Sequence, residues 1–193
     1  MDLIFLKEQG WETQIHQHCR YSGKVLGICG GYQMLGKHVL DPNNIESTLA
    51  EITGLNLLPL STTLTDSKTL TQVSGTLNIG EKACSVRGYE IHCGVTTIED
   101  ELTSLITFEN HPDNELCDGT ISQDGQIMGT YLHGLFDSVE ATKLILDWVK
   151  PESIIDDLID LDKHREIQLD RLADVSREHL AIDKIADIIK QPI

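Results

Sequence analysis

The sequence predicts an α/β fold built around a parallel elbow strand, and three stretches carry that prediction. Residues 25–36, VLGICGGYQMLG, read as strand, sharp turn and helix with a cysteine at the apex. Residues 72–98 read as three antiparallel strands, and residues 139–150 as an amphipathic helix that follows a hairpin. At 193 residues the chain is long enough for one good-sized core and a small appended element. Its 40% hydrophobic and 24% charged content is that of a soluble globular protein. A formal net charge of −16 argues against nucleic acid or an anionic membrane surface as a partner. No apolar run is long enough to span a bilayer, and the opening residues do not read as a signal peptide. Five cysteines, an odd count without scaffold-like spacing, predict a reduced, cytoplasmic protein.

Taken in order, Leu3-Ile4-Phe5-Leu6 opens a helix-compatible stretch that Trp11 and Ile15 carry to about His18. His16 and His18 lack an acid or cysteine in ligand register, so they read as surface histidines and no metal is expected. Tyr21-Ser22-Gly23-Lys24 breaks into the elbow strand. Such a strand normally sits centrally, with neighbours from earlier in the chain. Here a helix comes first, so those neighbours come from later segments or from a larger protein. Asp41-Pro42-Asn43-Asn44 is a turn, 45–60 a mixed loop, and 61–71 an extended or loop segment rich in Thr and Ser. Strands are expected at 72–79, 83–92 and 94–98, with Gly80-Glu81 turning the first pair, and at 105–109. Polar residues 110–119 read as a mobile loop. A hairpin of 119–122 and 127–132, turned at Asp124-Gly125, delivers Tyr131-Leu132-His133-Gly134. A helix runs from about Ser138 until Pro151 stops it. From Glu152 the chain reads as helical and charged, with Ile154, Ile155, Leu158 and Ile159 on one face. Ile167, Leu169, Leu172, Ala173 and Val175 form another. Residues 1–150 are read as one domain and 151–193 as its helical C-terminal extension.

Cys29 is the candidate nucleophile. The apex of an elbow is strained, so small neighbours are needed, and Gly27, Gly30 and Gly31 answer that need. A thiol at a helix N-terminus is pushed toward thiolate, and the same N–H groups can hold an oxyanion. The competing reading is a buried structural cysteine beside a glycine turn. A cysteine nucleophile needs a base, and His133, ending an apolar strand before a glycine and a helix, has the best setting among the eight histidines. Glu90 and His92 share one strand face at period two, either as a solvated hairpin face or at a cleft or interface. Cys84 and Cys93 have no CxxC spacing and read as unreactive. Asp137 either orients His133 or caps the next helix.

Gly27-Ile28-Cys29-Gly30-Gly31-Tyr32-Gln33 resembles the nucleophile motif of class I glutamine amidotransferases. Gly88-Tyr89-Glu90-Ile91-His92-x-Gly94, Gly129-Thr130-Tyr131-Leu132-His133-Gly134-Leu135-Phe136 and the tail around Leu169-Asp170-Arg171-Leu172-Ala173-Asp174 narrow the resemblance to the glutaminase domains of the cobyric acid synthase branch. The resemblance implies a flavodoxin-like domain with a central, mostly parallel sheet, added antiparallel strands and a helical tail. It implies that Cys29 attacks the glutamine carboxamide, that His133 is general base and acid, that the Gly30 N–H is an oxyanion donor, and that Gln33 lines the glutamine pocket. The wider superfamily places a Glu two residues after the histidine; here that residue is Leu135, as in a Cys/His dyad. It also implies a corrinoid substrate reached through a synthetase domain that uses ATP and Mg²⁺. No GxxxxGK[ST] occurs in this chain, so that chemistry is not encoded here. By the family pattern Met1 falls inside the glutaminase domain, after a glycine loop that carries a second oxyanion donor. That implies a C-terminal piece with poor or no glutaminase activity alone. Two rivals share the motifs in part: the glutaminase subunit that works with a Mur-ligase partner on a lipid precursor, and a docking module without catalysis.

Overall fold

The computed structural model describes residues 2–111, 116–151 and 158–189. The chain divides into two compact units, Met1–Ile155 and Asp156–Ile193. In the first unit, α1 (Asp2–Glu8) and α2 (Trp11–Arg20) precede the elbow strand β1 (Val25–Ile28) and the short helix α3 (Gly30–Leu35). The expected single N-terminal helix is therefore two. Gly10, at φ 75°, ends the first run, because a left-handed residue cannot continue a right-handed helix.

After the elbow come β2 (His38–Leu40) and β3 (Glu51–Thr53), neither of which the sequence announced, then β4 (Leu60–Ile79) and β5 (Lys82–Ile98). β4 absorbs the whole 61–71 segment, and β5 joins what read as two strands at 83–92 and 94–98. These two long strands form one hairpin about Gly80, with a register shift between Leu64 and Thr69. β6 (Thr103–Asn110), β7 (Cys117–Ile121), β8 (Ile127–Thr130) and the two-residue β9 (Leu132–His133) complete a nine-stranded sheet. Within the expected mobile loop, residues 112–115 lie outside the described residues. A 3₁₀ turn, Leu135–Asp137, leads into α4 (Val139–Val149).

The α/β class and the added antiparallel strands stand as expected, while the balance of pairing differs. β1 pairs with β8 and β2 with β4 in parallel; the other described ladders are antiparallel. A parallel pair needs a long crossover. β4–β5, β6–β7 and β7–β8 instead follow one another closely in the chain, which commits these pairs to antiparallel ladders.

Apolar side chains separate into two clusters. One holds Leu77, Leu105, Ile106, Met128 and Leu132 with Leu144 and Ile145 of α4. The other holds Leu3, Tyr32, Leu35, Leu58, Leu60 and Tyr131, so α1 and the elbow helix share a core. Each such side chain stabilises the fold by ~1.5–3 kcal/mol on burial.

The second unit contains α5 (Leu161–His179) and α6 (Ile182–Ile189). Of the helix expected from Glu152, residues 152–157 lie outside the described residues and 158–160 are not helical; α5 begins at Leu161, after the Asp160 side chain accepts from the Lys163 N–H. Ile154 and Ile155 lie outside the described residues.

Candidate functional site

Cys29 occupies the sharp corner between β1 and α3 with φ 53° and ψ −116°, a conformation that side chains bearing a Cβ rarely adopt. Holding it there costs about 1–3 kcal/mol, which the surrounding structure must offset. The Cys29 N–H donates to the Thr130 carbonyl at 2.9 Å, extending the β1–β8 ladder through the apex. The thiol donates to the Ile91 carbonyl of β5 at 3.4 Å.

Only one of the three glycines is sterically required by its neighbours. A Cβ on Gly27 would lie 2.6 Å from Leu35 Cδ1 and 2.8 Å from the Gly31 carbonyl. A Cβ on Gly30 or Gly31 would meet no atom of another segment within 4 Å. Gly30 borders a cavity of about 340 Å³ lined also by Gln33, Met34, Val39, Glu46 and Leu64. A larger cavity, about 700 Å³, lies among residues of α2 and the β7–β8 turn, and neither cavity is lined by Cys29 or His133.

Burial pushes the Cys29 thiol above its ordinary pKa, the Gly30 N–H pulls it back in part, and Glu46 adds to the rise. The helix-end N–H thus acts in the expected direction, and burial outweighs it. A six-residue helix has little dipole to oppose desolvation.

His133 arrives by another route. After Thr130 the chain leaves β8, bends at Tyr131 and pairs with β5, setting His133 opposite Tyr89 and Leu132 opposite Glu90. The imidazole stacks on the Tyr89 ring, with centroids 5.0 Å apart and planes within 5°. Its Nε2 is buried and has no hydrogen-bond partner among the described residues. Gly88 allows this approach, since a Cβ there would sit 1.9 Å from the His133 carbonyl oxygen. Asp137 is exposed in the 3₁₀ turn and does not cap α4; Ser138 does, accepting from the Ala141 N–H. Leu135 is buried in the apolar core.

Gln33 reaches across to the third motif. Its Nε2 donates to the Tyr131 hydroxyl at 3.3 Å, and a Cβ on Gly94 would lie 2.9 Å from the same nitrogen. The Tyr131 hydroxyl also pairs with Thr96 at 2.6 Å, and its ring stacks on His92 at 3.9 Å. Glu90 turns inward, buried, and pairs with His111 Nε2 at 2.9 Å. Glu90 and His92 are therefore not a solvated face. Both line a second cavity of about 270 Å³ on the opposite side of β5 from Tyr89. Sequence reasoning missed His111, Tyr131, Thr96 and Asp118; of these only Tyr131 lay within a quoted motif.

The three motifs thus meet along β5. Cys29 touches it at Ile91, His133 at Tyr89, and Gln33 packs against Gly94. A thiol, an imidazole nitrogen without a hydrogen-bond partner among the described residues and a backbone N–H beside the thiol, all placed along one strand, are the group types that acyl transfer on a small amide requires. Among the described residues no cluster of His, Cys, Asp and Glu could hold a metal ion.

Comparison with known proteins adds the lineage. The family model for the CobB/CobQ-like glutamine amidotransferase domain matches residues 1–141. A cobyric acid synthase from Shewanella oneidensis is 46% identical over 198 residues, covering 97% of this chain and 38% of that protein. The cobyric acid synthase of Vibrio parahaemolyticus is 44% identical over 182 residues, covering 94% and 36%. This chain therefore spans little more than a third of the length of those relatives. Among solved structures, PurLQS from Thermotoga maritima shares the fold, with a TM-score of 0.52 at 16% identity over 72% of this chain and 68% of that one.

Proposed function

Because the chain belongs to the CobB/CobQ-like glutamine amidotransferase family, we propose that it hydrolyses glutamine through Cys29 and His133 and passes on the ammonia. The convergence of the three motifs on β5 is the observation that carries this reading. The carboxamide carbon of glutamine sits in front of the thiol, in the space that Gly30 and Gly31 leave open. Since burial keeps the thiol protonated, attack requires a base, and His133 Nε2 takes the proton as the C–S bond forms. The Gly30 N–H faces the oxyanion of the tetrahedral intermediate. His133 then returns the proton to the departing ammonia, leaving a glutamyl thioester. Water, deprotonated by the same histidine, cleaves the thioester to glutamate and restores the thiol. Gln33, held by Tyr131, lines the substrate pocket.

The ammonia amidates carboxylates of a corrinoid, as the names and the greater length of the relatives support over a lipid-precursor role. ATP and Mg²⁺ activate those carboxylates in a synthetase domain. This chain has no P-loop sequence, so no step with them is assigned to its residues.

The test uses 6-diazo-5-oxo-L-norleucine, a diazo ketone analogue of glutamine, followed by mass analysis of peptides. One adduct is expected on Cys29, suppressed by excess glutamine, and formed ~10²–10⁴-fold more slowly in His133→Gln. Glutamate release with Cys29→Ala as control measures turnover directly. Slow turnover with intact labelling of Cys29 agrees with the expected low activity of the chain alone; a folded chain whose Cys29 ignores the analogue overturns the reading and favours a docking module without catalysis.

A further inference from the structure

One buried carboxylate stands beside the site without an assigned task. Asp118, on β7, is 7% exposed and lies where the chain changes partners between β8 and β9. Its carboxylate accepts the Thr130 hydroxyl, the Tyr131 N–H at 3.0 Å and the Leu132 N–H at 3.2 Å, all three residues of that bend. Thr130 Oγ1 in turn accepts from the Leu132 N–H at 3.0 Å. The residues so gripped connect the two halves of the site. The Thr130 carbonyl receives the Cys29 N–H, and His133 follows Leu132 directly.

We propose that Asp118 is the positioning residue of this site, fixing the distance from Cys29 to His133 through the backbone; this rests on the Cys29/His133 reading and deepens it. A carboxylate suits the task because every group aimed at it is a donor and it offers only acceptors. Three hydrogen bonds converge on one side chain, and each is stronger to an ionised acceptor than to a neutral one. With Leu135 in the position two residues after the histidine, the ring has no carboxylate there to orient it. Its orientation is set instead by the strand it rides on and by the Tyr89 stack. Burial pushes the Asp118 carboxyl up, while Thr130, Tyr131, Leu132 and Gly119 pull against it.

The test compares the full chain with Asp118→Asn, which turns an NH₂ toward backbone donors, and Thr130→Val, which keeps the shape but removes the hydroxyl that donates to Asp118 and accepts from the Leu132 N–H. Diazo ketone labelling of Cys29 requires both a thiolate and a proton delivered to the diazo carbon, whereas iodoacetamide requires the thiolate alone. A misplacement of about 1 Å can cost ~10²-fold in rate. Asp118→Asn is therefore expected to slow the diazo ketone ~10–100-fold and Thr130→Val ~3–10-fold, while iodoacetamide stays within about threefold. Unchanged labelling by the diazo ketone in folded variants, or an equal fall with both reagents, overturns the proposal. If Asp118→Asn does not fold, Thr130→Val alone decides. Histidine ¹H–¹³C NMR separates this from the parent reading. Should wild-type Cys29 ignore the diazo ketone, the glutaminase reading falls. The positioning role then stands if the His133 Cε1–H resonance moves in these variants while those of His16 and His38 hold, and falls if it does not move.

Discussion

Cys29 and His133 reach the same strand by opposite means. The nucleophile is placed locally: strand, left-handed apex and helix follow one another without a break, and the geometry is stored as backbone strain in one residue. The histidine is placed by its surroundings. Asp118 and Thr130 hold the bend before it, Gly88 admits its carbonyl, and Tyr89 faces its ring. One half of the site is therefore sensitive to its immediate neighbours and the other to residues far along the chain.

The largest test of that contrast sets two glycines against each other. Gly88→Ala must displace β9, because the new Cβ would meet the His133 carbonyl oxygen, and glutamine hydrolysis should fall ~10²-fold. Gly30→Ala, whose Cβ meets no atom of another segment, should leave β9 and Tm unchanged, and its loss should fall on KM because the methyl enters the space assigned to glutamine. An equal fall in kcat for the two variants would break the comparison. Gln33→Leu comes next. It should raise KM for glutamine roughly tenfold with kcat nearly unchanged, since it removes a pocket group and no reacting atom. Cys29→Gly sharpens the account of strain. Chemistry is lost, but relief of the φ 53° apex should raise stability by about 1 kcal/mol, or ~2–4 °C in Tm by calorimetry. A lower Tm would mean that the apex is not strained. The smallest effect concerns Glu46. Iodoacetamide alkylation of Cys29 should rise with pH to a midpoint above the ordinary thiol range, because the raised pKa retains the proton longer. Glu46→Gln should move that midpoint down, and high salt should erase the difference, since Glu46 is exposed.

The same contrast explains what the sequence revealed. The elbow was legible because an apolar run, a cysteine, glycines and a helical period are local signals read in one window. The hairpin turns at Gly80 and at Asp124-Gly125 were legible for the same reason. β2 and β3 were not, since three-residue strands carry no period and exist only through pairing with one another and with β4. The break at Gly10 was hidden inside an apolar pattern that continues on both sides of it. Ser138 and Asp137 are both sound caps by type, and the fold decided between them. The inward turn of Glu90 depends on His111, and the hold on His133 depends on Asp118, partners that no spacing rule connects. Placing Gly30 and Gly31 as relief for the turn was a reasonable inference from size alone, which only the surrounding atoms could correct.

The parallel pairing of β1 with β8 also bears on how the protein is made. Val25 pairs with Ile127, so the elbow strand leaves the ribosome about a hundred residues before its partner. At typical elongation rates that interval lasts roughly 5–20 s. Meanwhile the β4–β5 hairpin, whose halves are adjacent in the chain, can close within microseconds of emerging. The reactive corner is consequently among the last parts to be built, on a scaffold already standing. Until then the Cys29 N–H lacks the Thr130 carbonyl that anchors it in the finished fold.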